Sequence, residues 1–125
     1  MQIIMKLKKV GIYKELSYGD TKNPSIYDVI GSEIPNKKEI CDYLKSGHVL
    51  AACAGIVHDV INPEKGPICP PDCLTDGTWA WHADLVYYVA EYDLKLDDAF
   101  LEHMKVNLWQ IPKDIDMDFD DVEME

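Results

Sequence analysis

The sequence contains no arginine, and all twelve of its basic side chains are lysines. Arginine carries the planar, forked set of donors that suits two-point capture of phosphate or carboxylate groups, whereas lysine offers a single point charge. The net charge of −11 at pH 7 is also opposite to the cationic surface that a nucleic-acid phosphate backbone rewards. The sequence therefore argues against nucleic-acid binding and against phosphoryl transfer.

Long apolar runs are missing as well, because no stretch approaches the ~20 residues that a membrane-spanning helix needs. The first residues place apolar side chains before the lysines, which is the reverse of a secretory signal, and no small-residue cleavage site follows. We therefore expect a cytoplasmic protein with no membrane association. Its four cysteines are then expected to be reduced thiols and not two disulfides.

The chain does contain enough apolar material for one folded core. It has 125 residues, 47% of them hydrophobic, which fits one globular domain and argues against disorder throughout. No internal repeat and no domain linker interrupts it. We expect a single domain over residues 1–113, followed by an acidic C-terminal tail over residues 114–125.

Apolar periodicity predicts several short strands. One is expected within residues 3–16. Residues 48–61 are apolar on both sides, which fits either a central strand covered on both faces or a hairpin that pivots near Gly55. Residues 74–81 are predicted as one strand with two tryptophans on the same face, and the proline-rich segment 62–73 as a loop.

Helix-start signals and helical spacing predict four helices. Ser25 is placed to cap a short one and Asn36 to cap the next, and the spacing of apolar residues predicts two more over residues 83–92 and 97–108. Asp84 is expected to favour the helix dipole from the first turn. The order of elements predicts a small α+β domain, in which three to four helices pack on a short antiparallel sheet.

Residues 43–112 carry a distinctive series of motifs: YLKSGHVLAACAG, LTDGTWAWHADLVYYVAEYDLKL, FLEHM and WQIP. In these motifs the chain resembles a family of small, mostly uncharacterised bacterial proteins with the pattern DG-x-W-x-W-P-ADL-x-YYV-x-x-Y, then L-P-x-x-F and W-x-(V/I)-P. It departs from that pattern at His82 and Asp97, where the family usually has proline. The resemblance implies no catalytic set of residues. Some members of the family resemble immunity proteins of toxin systems, which implies a small cytoplasmic binding partner.

Cys69 and Cys73, in the run ICPPDC, form the most metal-like feature of the sequence. Together with His58 and His82 they would supply four side chains of the types that bind zinc. The spacing and the adjacent prolines are unlike a zinc knuckle, whose cysteines usually lie two or four residues apart, so a plain proline-rich loop is the competing interpretation. These residues, with His48, define the alternative function: a small enzyme or a metal- or small-molecule-binding protein.

Cys53 suggests a thiol nucleophile because His58 and Asp59 follow it closely. In an unbroken strand, however, Cys53 and His58 point to opposite sides. We therefore expect Cys53 and Cys41 to be inert core residues. His103 is expected to be a solvated surface residue.

The tail from residue 114 to residue 125 carries seven acidic side chains and no basic one. Ile115, Met117 and Phe119 alternate with the acids, so the tail is either a disordered solubilising end or a segment that adds a strand to the domain's own sheet or to a partner. Concentrated negative charge raises the rate of association with a basic surface.

Tyr87 and Tyr88 are helix neighbours whose side chains point about 100° apart. One of them should be exposed or half exposed, with its hydroxyl free for a partner. The residues predicted to contact a partner are Asp114, Asp116, Asp118, Phe119, Asp120, Asp121, Tyr87 and Tyr88.

The sequence is interpreted as an acidic protein-binding domain without a cofactor. Its sharpest form is an immunity-type inhibitor that masks the basic surface of a toxin or nuclease. The absence of a connected catalytic set favours binding over catalysis. A further hypothesis is a homodimer that buries the aromatic face.

Overall fold

The computed structural model describes the backbone of residues 5–113 and 122–124 and the side chains of residues 7–113. Within this part of the chain there are three α-helices, seven strands and two short 3-10 turns, at Ile26–Asp28 and Pro63–Lys65. The helices are α1 (Lys37–Lys45), α2 (Leu85–Tyr92) and α3 (Asp98–Val106). The strands are β1 (Met5–Lys9), β2 (His48–Ala51), β3 (Val57–His58), β4 (Pro67–Cys69), β5 (Cys73–Thr75), β6 (Trp79–His82) and β7 (Val122–Met124).

The main sheet has the strand order β2-β5-β6-β1 and is extended by β7. β2 and β6 are antiparallel to β5, whereas β1 lies parallel to both β6 and β7. β3 and β4 form a separate antiparallel pair. The predicted small α+β domain is confirmed, although the main sheet is mixed and not wholly antiparallel, because β1 enters beside β6 in the parallel sense.

The segment predicted as one strand over residues 74–81 is a hairpin of β5 and β6. Its turn contains Asp76 and Gly77, and the Asp76 carboxylate accepts hydrogen bonds from the backbone N–H groups of Thr78 (2.9 Å) and Trp79 (2.7 Å). Gly77 has φ 95°, a conformation that glycine adopts without steric cost. The one-strand prediction is therefore wrong.

Residues 48–61 form two strands that belong to different sheets, since β2 pairs with β5 and β3 pairs with β4. The chain changes direction between them, and Gly55 lies there with φ 98°. Both predicted forms of this segment, a covered central strand and a hairpin of its two halves, are therefore wrong. Cys53 lies in the exposed connection, so its assignment to the core is also wrong, whereas Cys41 packs against the core as a half-buried thiol.

The core lies between the sheet and the helices and is rich in aromatic rings. Trp79 and Trp81 are both buried on one face of β6, as the alternation predicted, and their rings lie 5.2 and 5.5 Å from the ring of Phe100 on α3. The Trp81 indole N–H donates to the carbonyl of Leu44 on α1 at 3.2 Å. The two tryptophans thus join the sheet to two helices, and their burial is a main source of stability.

The predicted helix starts are confirmed in position. The Ser25 hydroxyl caps the first 3-10 turn by accepting from the Tyr27 N–H. Asn36 precedes α1 in a left-handed conformation, φ 59°, and its side chain makes no capping bond. No helix in the described part of the chain combines the length and apolarity needed to cross a membrane.

β7 lies inside the acidic tail and adds a strand to the domain's own sheet, with Val122 opposite Met5. The alternating segment of Ile115, Met117 and Phe119, on which the added strand is predicted, is not part of β7. Residues 114–121 lie outside the described residues.

Candidate functional site

The charge of the protein is concentrated at its C-terminal end. Residues 1–113 carry 16 acidic side chains against 12 lysines, and residues 114–125 carry seven acidic side chains against none. Three of the 16 acids, Asp59, Asp76 and Asp84, are buried. The surface of the domain is therefore close to charge balance, and the excess of negative charge lies in the tail.

Most of the predicted partner-binding residues are in this tail, outside the described part of the chain. Their contacts with a partner stay a prediction. They are Asp114, Asp116, Asp118, Phe119, Asp120 and Asp121.

The end of α3, a few residues before the tail, is a Schellman motif. The Trp109 N–H donates to the Met104 carbonyl at 2.9 Å, and the Leu108 N–H donates to the Lys105 carbonyl at 2.9 Å. This pair of bonds places Leu108 in the left-handed conformation, with φ 55°. Glycine is the usual residue at this position, because the left-handed conformation costs other residues roughly 1–2 kcal/mol.

Leu108 gains little burial in return for this strain. It is 77% exposed, and Val106 in the same turn is 71% exposed. Trp109 is also left-handed, with φ 61°, but it is half-buried and packs against the core. We refer to Val106, Leu108 and Trp109 as the apolar end of α3. Exposed apolar residues grouped in this way are typical of contact surfaces.

A groove of about 430 Å³ reaches the apolar end of α3. Trp109, Leu101 and Ile34 contribute apolar walls, and Lys95 and Lys105 also line it. Within the apolar end of α3, Trp109 is the residue that lines this groove, and a partner could reach it there. Large aromatic side chains next to recesses are frequent centres of binding energy.

The two tyrosines predicted to offer a free hydroxyl do not offer one. Tyr88 is 1% exposed, and its hydroxyl accepts from the Val60 N–H at 3.0 Å. Tyr87 is half-buried, and its hydroxyl donates to the Asp59 carboxylate at 2.7 Å. The prediction of exposure holds for Tyr87, but the free hydroxyl is wrong because the loop after β3 folds over α2 and uses both groups.

Asp59 is the centre of that loop contact. Besides Tyr87, its carboxylate accepts from the Tyr92 hydroxyl at 2.5 Å and from the backbone N–H groups of Ile61 (2.8 Å) and Asn62 (2.7 Å). Burial alone raises the pKa of Asp59, but these four donors outweigh it and hold the pKa below its ordinary value. A carboxylate satisfied in this way is a structural anchor and not a free acid or base.

Asp76 plays a similar part beneath the β5–β6 turn. Its carboxylate accepts from the Tyr43 hydroxyl at 2.5 Å and lies 3.1 Å from Nε2 of His103. The contact connects the hairpin to α1 and α3. His103 is therefore half-buried and bound to a carboxylate, and its interpretation as a solvated surface residue is wrong.

A third buried carboxylate, Asp84, precedes α2 but makes no side-chain capping bond there. It accepts from the Tyr18 hydroxyl at 2.6 Å instead. Burial raises the pKa of Asp84, and the Tyr18 bond and the nearby His82 only partly oppose this. The Tyr18 ring stacks on His82, with centroids 3.7 Å apart and planes inclined by 28°. Asp84, Tyr18 and His82 thus form one continuous contact.

Of the four predicted zinc ligands, the structure brings only two together. Cys73 and His82 lie opposite each other on β5 and β6, with Sγ 3.8 Å from Nδ1. Cys69 and His58 lie in the β3–β4 pair, and His48 bonds a backbone carbonyl near residue 112. Among the described residues, no group of three or more His, Cys, Asp or Glu side chains is placed to hold a metal ion. Zinc binding stays a prediction, without a converged ligand set in this part of the chain.

Cys73 and His82 open into a cleft of about 670 Å³, a volume typical of small-molecule sites. Lys9, Asp20 and Asp97 also line it, so the cleft presents charges of both signs. The sequence predicts Cys73 as a zinc ligand paired with Cys69. It does not single out Cys73 and His82 as a two-residue contact. The signal was the hairpin turn at residues 76 and 77, which sets the two residues opposite each other.

The fold and these surfaces define a small α+β domain with a charged terminal segment, an apolar helix end and one thiol-containing cleft. Comparison with protein-family models, with curated proteins and with solved structures found no match. The family resemblance of residues 43–112 therefore stays a prediction.

Proposed function

We propose that this protein is a protein-binding domain that recognises a basic partner through the apolar end of α3 together with the acidic segment 114–125. In its sharpest form it is an immunity-type inhibitor that masks the cationic surface of a toxin or nuclease. The observation that supports this most directly is Leu108, which is held exposed in a backbone conformation that favours glycine.

The left-handed backbone conformation of the exposed Leu108 suggests that this side chain serves binding and not folding. A side chain that is 77% exposed recovers little of the hydrophobic free energy that would offset a left-handed backbone. Glycine would complete the same Schellman bonds at lower cost. A leucine retained there is best explained by contact with another molecule, since strained positions cluster at binding sites.

The position of the charge supports the same surface. The acids of the tail begin at Asp114, five residues after Trp109, while the surface of the rest of the domain is nearly balanced in charge. Such an arrangement steers a basic partner toward one region of the protein, where apolar contacts then slow dissociation. A nuclease toxin has a cationic groove for its substrate, and carboxylates would occupy it as phosphates do.

The experiment is titration calorimetry of the purified protein against the product of the neighbouring reading frame, with a nuclease assay if that product is basic. The expected result is a 1:1 complex whose affinity falls as salt is raised, together with inhibition of the nuclease. A complex whose affinity does not change between low and high salt contradicts the electrostatic part of the proposal.

The alternative, a small enzyme or metal-binding protein, is supported by one observation only, the meeting of Cys73 and His82 in a cleft. His58 and Cys69 lie in the other sheet. An enzyme or metal site that needs Cys69, Cys73, His58 and His82 together is therefore less well supported than partner binding.

A further inference from the structure

Cys73 and His82 are held in register by the hairpin of β5 and β6. They are directly opposed residues of an antiparallel pair, so their side chains lie on the same face. Sγ and Nδ1 are 3.8 Å apart, and both side chains line the 670 Å³ cleft. The contact is therefore set by the sheet itself and faces a space that can admit a small molecule.

The surroundings of His82 suit a group that accepts a proton from the thiol. The Pro71 carbonyl lies 3.3 Å from Nδ1 and can accept a hydrogen bond once that nitrogen is protonated. The Tyr18 ring stacks on the imidazole and fixes its plane, and Tyr18 is in turn bound to Asp84. The Asp84 carboxylate attracts the cation that forms. Nucleophile, base and orienting groups are thus all in contact.

The surroundings of Cys73 show why the base is needed. Burial raises the pKa of the Cys73 thiol, and Cys53 and Asp72 raise it further, while Lys9 opposes them. The resting group is therefore a thiol and not a preformed thiolate. Since only the thiolate attacks an electrophile, the chemistry of Cys73 depends on transfer of its proton to His82.

We propose that Cys73 is a thiol–disulfide exchange site, with His82 as its base, for a small zwitterionic disulfide of the cystine or glutathione-disulfide type. The cleft lining indicates this class, because Lys9 matches a carboxylate, and Asp20 and Asp97 match ammonium groups. This function goes beyond partner binding and does not depend on it, since it uses none of the apolar end of α3.

The reaction is a balanced exchange. His82 Nδ1 removes the proton from Cys73 Sγ, and the thiolate attacks one sulfur of the disulfide. A new bond forms between Cys73 Sγ and that sulfur as the original S–S bond breaks. The departing thiolate takes the proton from His82 and leaves as a thiol. Cys73 is oxidised to a mixed disulfide, and one half of the small disulfide is reduced.

The test uses glutathione disulfide and cystine as probes, with intact-mass measurement of adduct formation over time. One variant keeps Cys73 alone (C41S, C53S, C69S), and a matched control keeps Cys53 alone (C41S, C69S, C73S). Cys53 is an exposed thiol near Cys73, but Nδ1 of His82 contacts Cys73 and the Pro71 carbonyl. Cys53 therefore serves as the reference for a neighbouring cysteine that does not use this base.

His82→Gln is then introduced into both variants. We expect one adduct on the Cys73 variant, a rate at least about tenfold lower after His82→Gln, as for loss of a general base, and an unchanged rate at Cys53. Equal rates at Cys73 with and without His82, or no adduct at Cys73, would overturn the proposal.

Tyr18→Phe is a milder variant than His82→Gln. It keeps the ring that stacks on His82 and removes only the hydrogen bond to Asp84. Circular dichroism checks that the fold is retained, and the rate at Cys73 should fall by a smaller factor than with His82→Gln. An unchanged exchange rate in this variant would show that the Tyr18–Asp84 hydrogen bond does not help His82 act as a base. A Cys73→Ser variant that still binds the basic partner separates this result from the proposed function.

Discussion

The hydroxyl of Tyr92, at the end of α2, donates to the Asp59 carboxylate at 2.5 Å across 33 positions of sequence. With the bond from Tyr87 it fastens the loop after β3 to the helix. The carboxylate is buried and accepts from four donors, so the contact stabilises the packing of this loop on α2.

Asp59→Asn should destabilise the protein by about 2–4 kcal/mol, because an amide replaces a charged acceptor and brings two donors of its own against the Tyr87 and Tyr92 hydroxyls. Urea unfolding followed by tryptophan fluorescence measures the change. Glu102→Gln, at an exposed position on α3, is the matched control and should change stability by less than about 0.5 kcal/mol. Equal effects of the two substitutions would show that the Asp59 contacts contribute little.

Asp59 and Asp84 should shape the pH dependence of stability in opposite directions. The pKa of Asp59 is lowered in the folded state, so its contribution is present above the unfolded value of about 3.9 and is lost as pH falls through the folded pKa. The pKa of Asp84 is raised, so its contribution is present below about 3.9 and is lost as pH rises through the folded pKa.

Unfolding measured from pH 2 to pH 7 distinguishes these two contributions. Asp59→Asn should flatten the loss of stability in the acid range, whereas Asp84→Asn should reduce the loss of stability as pH rises from about 4 toward neutrality. Tyr18 can still donate to the amide oxygen in Asp84→Asn, so the fold should be retained. Parallel pH profiles for the two variants would contradict the assignment.

Leu108→Gly should leave stability unchanged or raise it by up to about 1 kcal/mol, because glycine suits the left-handed position at the end of α3. The same substitution should weaken binding to the basic partner by at least about tenfold, which corresponds to roughly 1.4 kcal/mol. Chemical denaturation and calorimetry give the two quantities. Val49→Ala, at a valine that is 55% exposed on β2, should leave affinity unaltered.

Joint substitution of Asp114, Asp116 and Asp118 by asparagine should slow association with the basic partner and reduce its salt dependence, while dissociation changes little. Substitution is preferable to truncation, because β7 belongs to the sheet. Stopped-flow mixing at two salt concentrations measures the association rate.

The control for this variant is neutralisation of three exposed acids elsewhere on the domain, Asp28, Glu39 and Glu64. It changes net charge by the same amount but leaves the tail intact. Association should slow less in the control than in the tail variant. If both variants slow association equally, the rate depends on the net charge of the protein and not on the position of the charges in the tail.

Much of the fold could be predicted because its signals are local. The apolar faces of α2 and α3 are predicted by the 3.6-residue spacing of their hydrophobic residues. The buried face of β6 is predicted by the alternation that places Trp79 and Trp81 on one side. Asp76 and Gly77 form a hairpin-turn signal, but the apolar residues on both sides of them also fit one continuous strand, so the pattern alone does not separate β5 from β6. The candidate site is harder to predict from the sequence, because the contacts of Cys73 depend on strand pairing and those of Asp59 depend on loop packing.

The α+β class, the helix starts, the absence of arginine and the concentration of negative charge in the last twelve residues could all be recognised from the residues alone. These are properties of composition and short-range periodicity, which do not depend on distant contacts. The folded structure was needed to show that the hydroxyls of Tyr87 and Tyr88 bond to the loop after β3, that His82 faces Cys73, and that Leu108 is exposed. Those outcomes depend on which strands pair and how loops cover helices, because hydrogen bonds between distant residues form only when the whole chain is packed.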